Sequence, residues 1–256
     1  MQSEHFIFNG IKSIDMDQYI VRIEGATTPS PFFGGQSISE EFVGDRIKPY
    51  HFKTTKDPIE FTIEISPVDE EWTPQRRNEV GRWLIHDTYK PFQTTGDMGK
   101  IYYAIATQAP NFTLYGNRGY VPFTFRTNSP YAWSPEYIDK FDLSDNIDKK
   151  IIVLENLSNI NKNYKPIIEI ELVDGETNIA LKNLANKGKE FIFTDLIENE
   201  IVSIDNENED IVSNRANSNP FAKFNKGWLE LVYGENRIEV KGKCILRTKM
   251  QFPILQ

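Results

Sequence analysis

One cysteine, Cys244, stands in 256 residues, so no disulfide within the chain and no cysteine-rich zinc site can form. Histidine is almost as scarce. His5, His51 and His86 lie far apart and match no metal-ligand spacing, so they read as structural or surface side chains. No G-x-S-x-G, P-loop or H-E-x-x-H is present. No apolar run approaches the length of a membrane span. The opening MQSEHFIFNG lacks a basic region followed by an apolar core, so the expectation is a chain made and folded in a cytoplasm. Positive charge is also short: 29 Lys and Arg face 37 Asp and Glu, a net charge of −8. Residues 1–140 carry 14 basic and 18 acidic side chains, and residues 141–256 carry 15 and 19, so neither half is basic. That excludes sequence-independent binding of nucleic acid and attraction to an anionic membrane, both of which need a basic surface.

What is present is alternation. Charged residues at 26% and hydrophobic residues at 39% mark a globular chain. The length suits two domains of about 100–150 residues. In IEFTIEI (59–65), Ile59, Phe61, Ile63 and Ile65 fall on one face, and Glu60, Thr62 and Glu64 on the other. HFIFNG (5–10) ends in a turn, YIVRIEG (19–25) closes at Gly25, TTPSPFFGG (27–35) is a loop, and QSISEEFVGDR (36–46) opens a hairpin. KIYYAIAT (100–107), FTLYG (112–116) and YVPFTFRT (120–127) are further strands. In the last, Pro122 points to a sheet edge or to an opening after the proline.

Residues 137–150 are polar and charge-rich, and the domain boundary is placed there: 1–140 and 141–256. Beyond it, short runs recur about every ten residues, from IIVLEN (151–156) to KCILRTKMQF (243–252). GWLELVYGENRIEVKG (227–242) carries a hairpin signal around Gly234-Glu235-Asn236. This spacing indicates a two-sheet sandwich or jelly roll.

One stretch breaks the alternation. WTPQRRNEVGRWL (72–84) reads as a helix, with Thr73 as N-cap and Pro74 at a position where its missing N–H costs nothing. Asp69, Glu70 and Glu71 lie near the positive end of its dipole, and Pro91 stops any continuation. Val80, Trp83 and Leu84 form one apolar stripe. Ile85 points away from that stripe, toward a second buried contact.

Chemical sites are thin. DNENED (205–210) resembles the start of a calcium loop. Such a loop needs Gly at its sixth position and Glu at its twelfth, where Asp210 and Ala216 stand, so a polar turn is the better reading. Tyr131, Trp133, Trp228 and Tyr233 could stack on sugars, but large aromatics mostly fill cores. Cys244 alternates in phase with Leu246, Thr248 and Met250 and reads as a buried small hydrophobe.

The order of parts carries a resemblance. W-T-P-Q-R-R-N-E-V-G-R-W-L (Trp72 to Leu84), Y-Y-A-I-A (Tyr102 to Ala106) and F-T-F-R-T-N-S-P-Y-A-W (Phe123 to Trp133) resemble the N-terminal domain of the distal tail proteins (Dit) of long, non-contractile phage tails. N-Y-K-P-I-I-E-I (Asn163 to Ile170), E-I-V-S-I-D (Glu200 to Asp205) and Trp228 to Gly242 resemble the C-terminal domain of the same family. The resemblance spans nearly the whole chain and rests on the ordered series, since no single motif is specific.

It implies an all-β protein with one short helix in the N-terminal half. A β-sandwich or split-barrel-like ring domain would be followed by a galectin-like β-sandwich. It also implies no enzyme activity and no cofactor. Six copies would form a ring at the tail tip of the virion, joining the tail tube protein to a tail-associated hub protein around a DNA passage. The C-terminal domain would face receptor-binding proteins. Short edge strands suit closure of such a ring. Arg76, Arg77, Arg82 and Ile85 are then candidate subunit or partner contacts. Two alternatives come from other classes. A carbohydrate-binding module would lose glycan binding on Trp228→Ala or Trp133→Ala, and a jelly-roll glycoside hydrolase would show turnover from a carboxylate pair.

Overall fold

The computed structural model describes residues 5–23, 35–69, 71–108, 111, 113–116, 118–173 and 175–255. The loop expected over 27–35, apart from Gly35, lies outside the described residues, as do Gly25, Glu70 and Phe112. The chain divides into two compact units, one of residues 1–134 with 254–256 and one of residues 135–253.

The first unit is built on an antiparallel sheet. Its order is Ile11–Lys12, Phe6–Phe8, Lys90–Thr94, Asp97–Ala106, Arg118–Thr127, Glu60–Pro67 and Gln18–Ile23. The first two strands meet through Asn9 and Gly10, whose φ of 51° and 80° make the two-residue turn that matches strand twist. The alternation in 59–65 holds: Ile59, Ile63 and Ile65 are buried among Phe6, Phe8, Phe92 and Phe125.

Pro122 corrects the expectation of an edge or an opening. Arg118–Thr127 runs through it as an interior strand, with Pro122 opposite Glu64. On the other flank, residues 118–120 pair with 113–115 and residues 125–127 with 104–106. The proline therefore sits between two pairing partners, where no ladder bond is lost. Pro91 likewise does not stop the helix, which ends at Leu84, but lies in the strand Lys90–Thr94.

The helix Pro74–Leu84 forms as its sequence requires. Thr73 Oγ1 accepts a hydrogen bond from the Arg76 N–H at 3.2 Å. Val80, Trp83 and Leu84 are all at most 4% exposed. The two tryptophans of the segment fasten it at both ends. Trp72 Nε1 donates to Gly119 O at 2.9 Å, and Trp83 Nε1 donates to Phe8 O at 3.0 Å. The Trp83 ring also stacks on Phe6.

The second unit is a sandwich. One sheet runs Tyr137–Leu143, Cys244–Met250, Ile167–Leu172, Ile201–Asp205, Asp210–Ser213. The other runs Lys150–Asn156, Gly234–Lys241, Ile179–Asn183, Lys189–Phe193. Cys244, Leu246, Thr248 and Met250 all point into the core, and burial pushes the Cys244 thiol up to about 12. The charge-rich stretch 137–150 begins with an edge strand rather than a loop.

The hairpin expected over 227–242 is corrected. Gly234, Glu235 and Asn236 belong to a strand, and residues 228–232 form an irregular segment with Trp228, Leu229 and Leu231 buried, bridged at Leu231 to Tyr164. Buried asparagines hold that segment. Asn206 Oδ1 accepts from the Leu229 N–H at 2.7 Å, and Asn183 Nδ2 donates to Glu230 O at 2.7 Å. Asn156 Nδ2 donates to Leu231 O at 3.1 Å. Asn236 Oδ1 accepts from the Val232 N–H at 2.9 Å while its Nδ2 donates to Val232 O at 2.8 Å. Side-chain amides thus supply what a ladder would have supplied.

Candidate functional site

Three of the sequence-derived contact residues, Arg76, Arg77 and Arg82, sit on one helix, with Ile85 just past its end, and the structure separates their roles. Arg76 is engaged within the chain. Its Nη1 donates to Asp69 Oδ1 at 2.6 Å and to Glu71 O at 2.7 Å, and its Nη2 lies 3.9 Å from Asp17. The Glu71 N–H and the Arg76 guanidinium hold the Asp69 carboxyl below its usual range. Arg76 therefore ties the start of the helix to the turn before it. Arg77 is half-buried.

Arg82 and Ile85 differ. Arg82 is exposed. Ile85 is 58% exposed in extended backbone, its N–H donating to Gly81 O. The second buried contact expected of Ile85 is absent, because the helix ends at Leu84 and the chain turns into extended backbone there. Three residues apart, Arg82 and Ile85 offer a small mixed patch on the side of the helix away from Val80 and Leu84.

A second feature was not singled out by residue. Among the described strands, Gln36–Glu41 and Tyr50–Lys56 pair only with each other. An isolated hairpin of this kind is marginal in water. This one carries Ile38, Phe42, Val43, Ile47, Tyr50 and Phe52 exposed, with Ile47 at 95%. Near its base and turn the Asp57 N–H donates to Gly35 O, Ser37 Oγ donates to Asp57, Lys56 Nζ lies over the Tyr131 ring, and Arg46 over Tyr50. Only the opening of the hairpin was legible in the sequence. Its apolar side chains follow no period of burial, since both faces are in solvent.

The sugar-stacking candidates divide as well. Trp228 is buried, its ring 4.8 Å from that of Phe224, so it is a core residue and not a platform. Trp133 and Tyr131 are half-buried, and Tyr233 is exposed. Asp205 closes a polar turn, its Oδ1 accepting from the N–H groups of Glu207 and Asn208. His86 lies 3.0 Å from Trp83 O, and His51 Nε2 lies 2.8 Å from Thr54 Oγ1.

Comparison with known proteins agrees with this architecture. Residues 1–129 match the family model described as phage tail protein N-terminal domain, and residues 131–250 match the one described as phage tail C-terminal domain. The SPbeta prophage-derived uncharacterized protein YomH of Bacillus subtilis (strain 168) is 25% identical over 256 residues, covering 99% of each chain. Among solved structures, the Dit (gp 19.1) protein of phage SPP1 superposes with a TM-score of 0.68 at 11% identity, over 97% of this chain and 98% of that one. It is described as a paradigm of hub adsorption apparatus in phages infecting Gram-positive hosts. A chain of the phage P2 baseplate follows at 0.50 and 10%, over 97% and 98%. The fold is therefore the two-domain, all-β fold of Dit, and the chain belongs to the phage tail protein family defined by those N- and C-terminal domains.

Proposed function

We propose that this protein is the ring-forming hub of a phage tail tip, six copies joining the tail tube to the adsorption apparatus around a passage for DNA. The observation that carries the reading is the hairpin Gln36–Lys56. Six exposed apolar side chains on a two-stranded element that pairs with no other described strand need a surface to cover them, and in a ring each subunit offers one to the next. Family membership and the Dit fold support the setting, and the number six comes from the resemblance.

In this reading residues 1–140 build the ring. Arg82 and Ile85 lie at contacts with a neighbour, while Arg76 serves its own subunit. The tail tube protein and a tail-associated hub protein meet the two faces. Residues 141–256 project toward receptor-binding proteins. The protein acts by position and carries no catalytic role. A net charge of −8 suits a passage that must release phosphates rather than hold them. Replacing residues 38–54 with a short Gly-Ser turn tests the reading. The trimmed chain should keep its β-rich circular dichroism and form no ring under conditions in which the full chain forms one. A ring formed by the trimmed chain would rule out the hairpin as the clasp.

A further inference from the structure

Four strands bound the two sheets of the second unit, and three of them are protected. Asp210–Ser213 is only four residues long. Tyr137–Leu143 presents exposed Asp139, Lys140 and Asp142. Lys189–Phe193 is covered by the segment 223–225: the Thr194 N–H donates to Lys223 O, the Asn225 N–H to Ile192 O, and Asn225 Nδ2 to Glu190 O. Short length, charge and cover are the usual ways of keeping a sheet edge from pairing.

The fourth edge is neither short nor covered by a described strand, and its charged residues, Lys150 and Glu155, leave the stretch 151–154 between them uncharged. Lys150–Asn156 runs seven residues in unbroken register with Gly234–Lys241, without proline, glycine or bulge. No other described strand pairs with it. Ile152 and Leu154 face the core, and Ile151 and Val153 are 45% and 50% exposed on the outer face. A long, unbroken edge with apolar side chains on both faces is a template for another strand.

We propose that this edge pairs with the same edge of a second copy of the chain, antiparallel and centred on Val153. The register follows from the side chains. A one-residue slip would set core-facing residues of one copy against outward-facing residues of the other. Centring on Val153 keeps all seven residues paired. Ile152 meets the partner's Leu154, so the two cores run on across the junction. Lys150 meets the partner's Asn156, and Ile151 meets the partner's Glu155. No like charges stand directly opposite one another, which a strand pairing with itself must avoid. The two four-stranded sheets become one of eight, related by a two-fold axis. Neighbours around a six-fold ring are not related in that way, so this contact stands or falls independently of the ring.

The test uses the full chain. Val153→Cys places two thiols across the two-fold axis, and Cys244 is buried and does not interfere. Mild oxidation, or a short bismaleimide, should convert Val153→Cys to covalent dimers on a denaturing gel. Val212→Cys, on the protected Asp210–Ser213 edge, should stay largely monomeric. Val153→Lys should abolish two-fold pairing in sedimentation while leaving the circular dichroism unchanged. A folded Val153→Cys that remains monomeric overturns the proposal. So does equal crosslinking of Val212→Cys, or crosslinking to a different tail protein in its place.

Discussion

The hairpin gives the account a quantity to be wrong about. Phe42 and Phe52 are 63% and 62% exposed in the single chain. Burying a whole phenylalanine side chain contributes about 1.5–3 kcal/mol, so covering the exposed part of each contributes about 1–2 kcal/mol. Phe42→Ser with Phe52→Ser should therefore weaken each subunit contact by about 2–4 kcal/mol, or about 30- to 1,000-fold. The stability of the unassembled chain should move by no more than about 0.5 kcal/mol, because neither ring packs in its core. Sedimentation over a dilution series reads the first effect, and urea unfolding at low concentration reads the second. Assembly at the wild-type concentration would refute the reasoning. So would a loss of monomer stability as large as the loss of assembly, which would mean the hairpin packs on its own subunit.

Other expectations follow from the same structure. Asn236→Ala leaves both backbone groups of Val232, Gly234 O and Asn183 Nδ2 short of a partner. It should cost roughly 3–5 kcal/mol in urea unfolding of the second unit, and a loss under about 1 kcal/mol would contradict the role given to the asparagines. Trp83→Phe keeps most of the ring and removes the indole hydrogen bond to the buried Phe8 O, at about 0.5–1.5 kcal/mol by the same assay. Arg82→Glu with Ile85→Asp should leave folding within about 0.5 kcal/mol and weaken assembly, whereas an unchanged assembly midpoint would remove both from the interface. At the buried Glu200, desolvation alone would push the carboxyl up. The hydrogen bonds that Glu200 accepts, from Ser213 Oγ first, outweigh it and hold the carboxyl below 4.5. Its contribution to stability is thus full above the unfolded value and lost as pH falls through the lower folded value. Glu200→Gln should flatten the acid limb of the stability profile, and an unchanged limb would refute the assignment.

Much of the fold was legible because local rules and burial agreed. Thr73, Pro74 and the stripe Val80-Trp83-Leu84 mark a helix that forms as read. Ile63 and Ile65, and Cys244 to Met250, mark buried strand faces. The failures have physical causes. Trp228 to Val232 alternates like a strand, yet outside the bridge at Leu231 its backbone bonds to the side chains of Asn156, Asn183, Asn206 and Asn236. Three of these four lie 20 or more residues away in sequence. Tyr137–Leu143 hid because an edge strand needs few buried residues, and here only Leu143 is fully buried. Pro122 was misjudged because the gap between its two pairing partners is a tertiary fact. Arg76 and Arg82 look alike in sequence, and Asp69, Asp17 and the Glu71 carbonyl around Arg76 tell them apart.

Electron microscopy of the purified protein, with mass by light scattering, tests the central claim most directly. Six copies of 29.6 kDa make a particle of about 178 kDa. The account expects six-fold rings with a central hole, singly or joined in pairs. A monodisperse single chain at every concentration up to the solubility limit, or closed particles without a hole, would contradict it.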